Sequence, residues 1–340
     1  MLLNVKYLYK INIYFNSNKL KLKLIMSSSE QLSRKQMIYM TKIYNKTKQL
    51  EEAIYFSSKF IEKNPKLTKD ERKIFVSSFK NIITKKRTAW RILNKKESEE
   101  TNENNLQYLL EIKYEVEKEI KEIISFIINI IDECLLEVVE EVEEAVFYSK
   151  LKADYLRYLT EIIVLNNNTN NNLSEEEEKD KLIYLNETEN TYHTAYMLAI
   201  QKLPELDITR IGLILNYSIF LWEIKKNKQE AAYIAQSCYN EVFEKYNELE
   251  SSENKECILL FQLIRENLMM WNKDEELINL MNNDNIEEVN NNNNSENKEN
   301  SLSNNNKNNS NYDEVENNNV DDEKYINNND EEIQNNYLRN

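Results

Sequence analysis

Basic residues recur at helical spacing in two segments of an otherwise acidic chain. Each set combines lysine and arginine, and the second adds a tyrosine: Lys80, Arg87 and Arg91, then Lys150, Arg157 and Tyr158. At about 100° per residue, a step of seven residues falls roughly 20° short of two full turns, so the basic residues of each set share a helix face. The planar fork of arginine donates two hydrogen bonds to phosphate oxygens. This placement indicates a receptor for a doubly charged anion.

Two acidic residues share the face of the second set. Asp154 and Glu161 stand four and eleven residues after Lys150. We interpret them as groups that orient Arg87, Arg157 and Lys150, and not as a catalytic acid and base, because the chain offers no activated nucleophile beside them.

The net charge of −15 is distributed unevenly. Residues 273–340 carry 17 Asp and Glu against 5 Lys and Arg, which accounts for 12 of the 15 excess negative charges. This Asn-rich tail has too few apolar residues to offset its ordering entropy, so it is predicted to be disordered. The acidic residues of the tail either reflect only its biased composition or lie over the basic helix faces and weaken ligand binding. The remainder is near neutral, which argues against nucleic-acid binding through bulk charge.

One glycine and two prolines in 340 residues predict an all-α fold, because sheets need these residues at their turns. Apolar residues recur at helical spacing, and short links favour antiparallel neighbours. Asp207 is a candidate N-cap, and the polar stretches 95–104 and 167–173 are predicted to be loops. The nine predicted helices span 30–44, 48–63, 68–96, 106–136, 141–165, 181–202, 207–225, 228–250 and 254–272.

Metal and redox chemistry have little support. The three cysteines, Cys134, Cys238 and Cys257, are widely separated and are interpreted as buried thiols of a reducing compartment. The single histidine, His193, leaves no histidine-based metal cluster. No metal, no cofactor and no enzymatic activity are therefore expected.

Residues 1–28 form a basic N-terminal extension. Lys and Asn break its apolar runs before they reach the roughly 18 residues of a membrane span, so no membrane association is expected. We hypothesise that Met26 begins the functional protein. The domain proper then spans residues 29–272, and the expected location is the cytoplasm, with the nucleus as a second location.

Two later segments present apolar faces with one amide each. Their residues fall at three-, four- and seven-residue steps: Leu215, Asn216, Ile219 and Glu223, then Leu263, Asn267, Met270 and Trp271. Facing the basic segments, they would complete a groove with a cationic wall and an apolar wall. Taken singly, however, each apolar stripe is more typical of a core helix.

Four segments in this order resemble the 14-3-3 family, which binds phosphoserine and phosphothreonine peptides. They read FKNIITKKRTAWR, VFYSKLKADYLRYLTE, RIGLILNYSIFLWE and LIRENLMMW. The resemblance runs from about Ser29 to Trp271. It implies nine antiparallel helices, an N-terminal dimerisation region and a concave amphipathic groove in each protomer.

The resemblance also implies roles for individual residues. Phosphate binding falls to Arg87, Arg157 and Tyr158, with Lys80 beside them. The groove lysine is Lys150, and Arg91 is a supporting residue. The remaining positions contact the rest of the peptide: Asn216 and Asn267 its main chain, Leu215, Ile219, Leu263 and Met270 its apolar side chains, and Glu223 and Trp271 its upstream side.

Departures from the family pattern concern the third helix and the dimer. Thr84 stands where the family usually has glycine, and Ala89 where it often has a phosphorylatable serine. Family dimers commonly pair an acid with a lysine and an arginine with a glutamate. This chain would instead oppose Glu52 to Glu115 and Gln49 to Glu119. We therefore expect phosphorylated client proteins as partners and a weakened or altered dimer.

The alternative interpretation is a tetratricopeptide-like scaffold for unmodified peptides. QLEEAIYFSSKFIEKNPKL and KQEAAYIAQSCYNEVFEKYNEL resemble helix-pair repeats. No regular 34-residue period connects them, which weakens this alternative.

Overall fold

The computed structural model describes residues 31–169, 175–245 and 255–273. Within these ranges the chain forms nine α-helices and no strand, so the predicted all-α fold is confirmed. The helices are α1 (Arg34–Lys46), α2 (Leu50–Lys63), α3 (Lys69–Glu99), α4 (Glu103–Ile130), α5 (Val142–Thr169), α6 (Glu175–Lys202), α7 (Ile208–Ile219), α8 (Lys228–Glu244) and α9 (255–273). The chain divides into two compact units, and the boundary in the sequence lies between Ala231 and Ala232.

Three predictions from the sequence lie outside the described residues. They are the extension 1–28 with its start at Met26, the disordered tail after residue 273, and most of the loop predicted at 167–173. Of that last stretch, residues 167–169 still belong to α5, whose printed end is Thr169.

Polar side chains cap the N-terminal ends of three helices in the first unit, α1, α3 and α7. Ser33 and Thr68 each form a reciprocal capping box with the residue three positions later, at the starts of α1 and α3. Asp207 accepts a hydrogen bond from the backbone N–H of Arg210 at 3.0 Å, which confirms the predicted cap of α7. These bonds satisfy N–H groups that no helix turn can reach.

The loop predicted at 95–104 is shorter in the structure, where only residues 100–102 lie outside a helix. Helix α3 continues to Glu99, and α4 begins at Glu103 with Asn102 as its cap. One polar residue of this stretch, Glu97, is bonded to the neighbouring helix α4. The ammonium group of Lys113 on α4 donates to Glu97 and also, at 2.9 Å, to Asn94. Lys113 is only 5% exposed, so this cross-helix pairing stabilises the last turns of α3.

Two helices end in a π-helical turn, where the sequence predicts an uninterrupted α-helix. Ile131–Leu135 follows α4, and Phe220–Ile224 follows α7. Such turns insert one extra residue and are frequent at functional sites. The second is followed by Lys226 at φ 60°, a left-handed conformation that glycine usually supplies at a helix end. The predicted site residue Glu223 lies in this turn.

Helices α3, α5 and α7 begin side by side. The guanidinium group of Arg72 on α3 donates to Glu143 on α5 at 2.9 and 3.3 Å, and Thr209 on α7 donates to the same carboxylate at 3.0 Å. Fifteen residues after Arg72, Arg87 contacts Glu161 on α5, so α3 and α5 run parallel. Three helices thus share one direction, and their inner faces can carry one site.

Each unit has its own apolar interior. In the first, a cluster of buried residues joins α1 to α5 and includes Phe79, Trp90 and Ile127. In the second, Tyr239 on α8 stacks on Phe261 of α9 with ring centroids 4.8 Å apart, and Cys238 and Cys257 are buried thiols. The interior of the first unit fixes the helices that carry the basic residues.

Candidate functional site

Two arginines of α3 converge on one carboxylate of α5. Arg87 Nη2 donates to Glu161 Oε2 at 2.5 Å, and Arg91 Nη2 donates to Glu161 Oε1 at 2.8 Å. Arg87 and Arg91 are one helical turn apart, so their side chains leave the same face of α3. Glu161 therefore bonds both guanidinium groups, and its predicted role in orienting Arg87 stays a prediction.

The aromatic ring of Tyr158 supports two of the cations. The Cζ atom of Arg87 lies 3.9 Å from the ring centroid, and the Cζ atom of Arg157 lies 4.8 Å from it. The negative face of an aromatic ring attracts a cation. This attraction offsets part of the repulsion between the two guanidinium groups, so Tyr158 allows them to lie close together.

The ionisation of Glu161 follows from these neighbours. Burial alone would raise the pKa of this carboxyl, but the charges of Arg87 and Arg91 outweigh burial and hold its pKa below the ordinary value. Glu161 is thus a carboxylate at neutral pH. Because Arg87, Arg157 and Glu161 are each at least 92% buried, the cluster has a fixed geometry before any ligand arrives.

A second carboxylate, Asp154, lies two helical turns before Glu161 on α5. Its Oδ2 atom accepts a hydrogen bond from Lys150 Nζ at 2.6 Å. Its Oδ1 atom accepts two, from Asn216 Nδ2 at 2.8 Å and from the hydroxyl of Tyr192 at 2.6 Å. Asp154 therefore joins two predicted site residues to each other.

Tyr192 is a member of this network that the sequence reasoning missed. It is fully buried on α6, and burial raises its pKa well above the ordinary value, so its hydroxyl remains a proton donor. The sequence shows only an aromatic residue at helical spacing, which is typical of a core position. Its hydroxyl becomes significant once α6 is known to pack against α5.

The apolar face predicted on α7 is largely turned inward. Leu215 is buried, whereas Asn216, Ile219 and Glu223 are half-buried. Trp222, in the π-helical turn, is buried under the ammonium group of Lys228, which lies 4.8 Å from its ring centroid. Of the four predicted residues, Asn216, Ile219 and Glu223 thus keep exposed surface, the last of them in the π-helical turn that follows α7.

The remaining predicted residues lie on two helices, α3 and α9. Lys80 is half-buried on α3, two turns before Arg87, and Thr84 is half-buried between them. Leu263, Asn267 and Trp271 are buried on α9, and Met270 beside them is half-buried. These four belong to the second unit, and their part in the groove stays a prediction.

Neither a metal site nor a membrane-spanning helix is found in the described ranges. They hold no group of three His, Cys, Asp or Glu side chains placed to bind a metal ion. None of the helices described is long and apolar enough to cross a membrane. The candidate site is instead the clasp, which comprises Arg87, Arg91, Lys150, Asp154, Arg157, Tyr158 and Glu161.

Comparison with known proteins identifies the family. The 14-3-3 protein family model matches residues 40–272, which contain every residue of the clasp. The chain belongs to the 14-3-3 family. It is 30% identical to 14-3-3 protein 10 of Solanum lycopersicum over 253 residues, covering 73% of this chain and 95% of that protein.

Fungal relatives show the same extent of likeness. The chain is 29% identical to the checkpoint signal transducer rad25 of Schizosaccharomyces pombe over 247 residues, 72% of this chain and 87% of that protein. It is 28% identical to protein BMH1 of Saccharomyces cerevisiae over 246 residues, 71% and 87% of the two chains. As a 14-3-3 protein, the chain is a non-enzymatic adaptor that binds and regulates client proteins. Members of this family usually also dimerise.

Proposed function

We propose that this 14-3-3 protein binds client proteins through peptides that carry phosphoserine or phosphothreonine, in the cytoplasm and, as a second location, the nucleus. The phosphate is bound by Arg87, Arg157 and Tyr158, with Lys80 and Arg91 beside them. Binding regulates the activity, location or assembly of the client.

The observation that carries this proposal is the charge of the clasp. Arg87, Arg91, Lys150 and Arg157 are four cations, and Asp154 and Glu161 are the two carboxylates bonded among them. With Lys80 beside them, the cluster holds five cations against two carboxylates, and this excess of positive charge suits a phosphate monoester, which carries about −1.5 to −2 at neutral pH. A carboxylate ligand carries half that charge, so the excess favours phosphate.

The other groove residues have supporting roles in this proposal. Asn216 and Asn267 bond the main chain of an extended peptide, and Lys150 adds charge near Asn216. The apolar wall consists of Leu215, Ile219, Leu263 and Met270, while Glu223 and Trp271 limit the upstream side. An extended peptide bound in this manner gains affinity from its main chain and specificity from pockets for its side chains.

The test compares one peptide with and without its phosphate. We expect a fluorescein-labelled phosphoserine peptide, selected on this protein from a phosphoserine library, to bind at least about 100-fold more tightly than its unphosphorylated form. Two or more hydrogen bonds to a charged group, at about 1.5–3 kcal/mol each, justify this difference. Fluorescence polarisation gives both affinities. Equal affinities would instead favour a scaffold for unmodified peptides.

We further propose that the dimer is weaker than is usual in the family. Glu115 is exposed on α4, whereas Glu52 on α2 is buried within its own chain, so neither residue offers the opposite charge that a partner copy would need. Glu119 is bonded by Lys86 of its own chain, which leaves it less available to a partner. An exposed ion pair contributes about 0–1 kcal/mol, so several pairs must be lost before the affinity of the dimer falls noticeably. At nanomolar concentration we expect native mass spectrometry to record the monomer, and a mass twice as large would contradict this prediction.

A further inference from the structure

The three hydrogen bonds to Asp154 fix the orientation of Asn216. An ionised carboxylate only accepts hydrogen bonds, so the amide of Asn216 must turn its Nδ2 atom toward Asp154, at 2.8 Å. The Oδ1 atom of Asn216 then faces away from Asp154. In this orientation, Oδ1 of Asn216 can accept a hydrogen bond from an N–H group of a ligand, while the second N–H of Nδ2 can still donate.

Tyr192 fixes the carboxylate that imposes this orientation. Its hydroxyl shares Asp154 Oδ1 with Asn216, while Lys150 holds Oδ2, so both oxygens are tethered. The Tyr192 ring is itself held, because it stacks on Tyr217 with centroids 5.5 Å apart and lies 5.6 Å from Phe220. The hydroxyl is therefore aimed at Asp154 by the packing between α6 and α7.

We propose that Tyr192 is a positioning residue of the peptide site, which through Asp154 holds Asn216 as an acceptor for one backbone N–H of the bound peptide. This inference rests on the proposed phosphopeptide function and adds to it a residue that touches no ligand. Without the Tyr192 hydroxyl, only Lys150 and Asn216 hold the carboxylate of Asp154, so the orientation of Asn216 is less firmly fixed. The site then still binds phosphate but no longer selects the N–H group.

The test is a double-mutant cycle between the protein and the peptide backbone. Each amide near the phosphoserine is replaced in turn by an ester, which removes one N–H and leaves the chain shape. In the wild type, we expect one of these esters to weaken binding about 3- to 10-fold, the range of a single neutral hydrogen bond. In Tyr192→Phe, the parent peptide should bind about 3- to 10-fold more weakly, and the same ester should cost less than about 2-fold. Affinity for inorganic phosphate, which has no amide, should be unchanged.

A matched control lies beside Tyr192. Tyr217 is equally buried, and its hydroxyl has no hydrogen-bond partner among the described residues. Tyr217→Phe removes a hydroxyl from the same ring stack without touching Asp154, so its peptide affinity and ester penalty should equal those of the wild type. A change in Tyr192→Phe alone cannot then be assigned to general loosening of the stack, and the melting temperature of both variants verifies the fold.

The outcomes separate this inference from the proposed function. Wild-type binding that requires the phosphate, together with the same ester penalty in Tyr192→Phe, would overturn the positioning role and leave the function intact. The inference also fails if no ester weakens binding to the wild type, because Asn216 then accepts nothing from the backbone. Equal binding of the phosphorylated and unphosphorylated peptides would overturn the function, and the inference with it.

Discussion

Replacing Glu161 by alanine is expected to lower the free energy of unfolding by about 3–5 kcal/mol, the usual cost of removing one partner from a buried ion pair. The side chains of Arg87 and Glu161 are only 8% and 10% exposed. Without Glu161, the guanidinium group of Arg87 would remain buried beside Arg91 and Arg157 with less opposing charge. Urea unfolding at neutral pH measures the difference.

The pH dependence of this effect has a definite sign. The folded-state pKa of Glu161 lies below its unfolded value of about 4.3, because the charges of Arg87 and Arg91 outweigh burial. Its contribution to stability is therefore complete above pH of about 4.3 and is lost as the pH falls through the folded pKa. The difference between wild type and Glu161→Ala should be full at pH 7 and should shrink in acid.

Phosphate should partly rescue the same variant. An anion bound only by the folded state raises its stability by RT ln(1 + [L]/Kd), and the uncompensated arginines of Glu161→Ala gain most from such an anion. We expect millimolar inorganic phosphate to raise the melting temperature of Glu161→Ala more than that of the wild type.

Glu119→Ala is the control for the unfolding experiment. Glu119 also pairs with α3 but is 43% exposed, so its removal should lower the free energy of unfolding by no more than about 1 kcal/mol. A cost below 1 kcal/mol for Glu161→Ala would contradict the assignment.

The sequence predicts the clasp because its elements are local. A seven-residue interval places Arg87 and Lys80 on one face whatever the tertiary context, and the same holds for Lys150 and Arg157 on α5. That α3 lies alongside α5, so that Arg87 reaches Glu161, came instead from the family resemblance. The structure gives this contact its geometry.

The errors of sequence reasoning have equally specific causes. The stretch 95–104 is polar and reads as a loop, yet Lys113, a residue outside it, holds the end of α3 in a helix. The π-helical turn at Phe220–Ile224 leaves the apolar pattern almost unchanged, so spacing cannot reveal it. Tyr192 needs knowledge of which helix packs on α5. The misses at the end of α3 and at Tyr192 depend on contacts between distant residues, and no single segment contains that information.

Replacing Arg87 is expected to have the largest effect on binding. Arg87→Ala should weaken the phosphopeptide about 10- to 100-fold, because a hydrogen bond to a charged group is worth about 1.5–3 kcal/mol. Arg87→Lys keeps the charge but loses the planar fork and its contact with the Tyr158 ring. We expect an intermediate loss for this variant. Fluorescence polarisation against the phosphorylated and unphosphorylated peptides measures both.

The control for Arg87 is another arginine that is bonded to a glutamate. Arg34 pairs with Glu71 on α3 at 2.5 Å, close to the start of the helix and away from the clasp. Arg34→Ala should leave the phosphopeptide affinity unchanged, although it removes the same charge from the protein. Salt sharpens the comparison, because screening weakens charge–charge attraction. The wild type and Arg34→Ala should lose affinity steeply between low and high salt, and Arg87→Ala less so. Unchanged affinity in Arg87→Ala would show that the phosphate does not bind at this clasp.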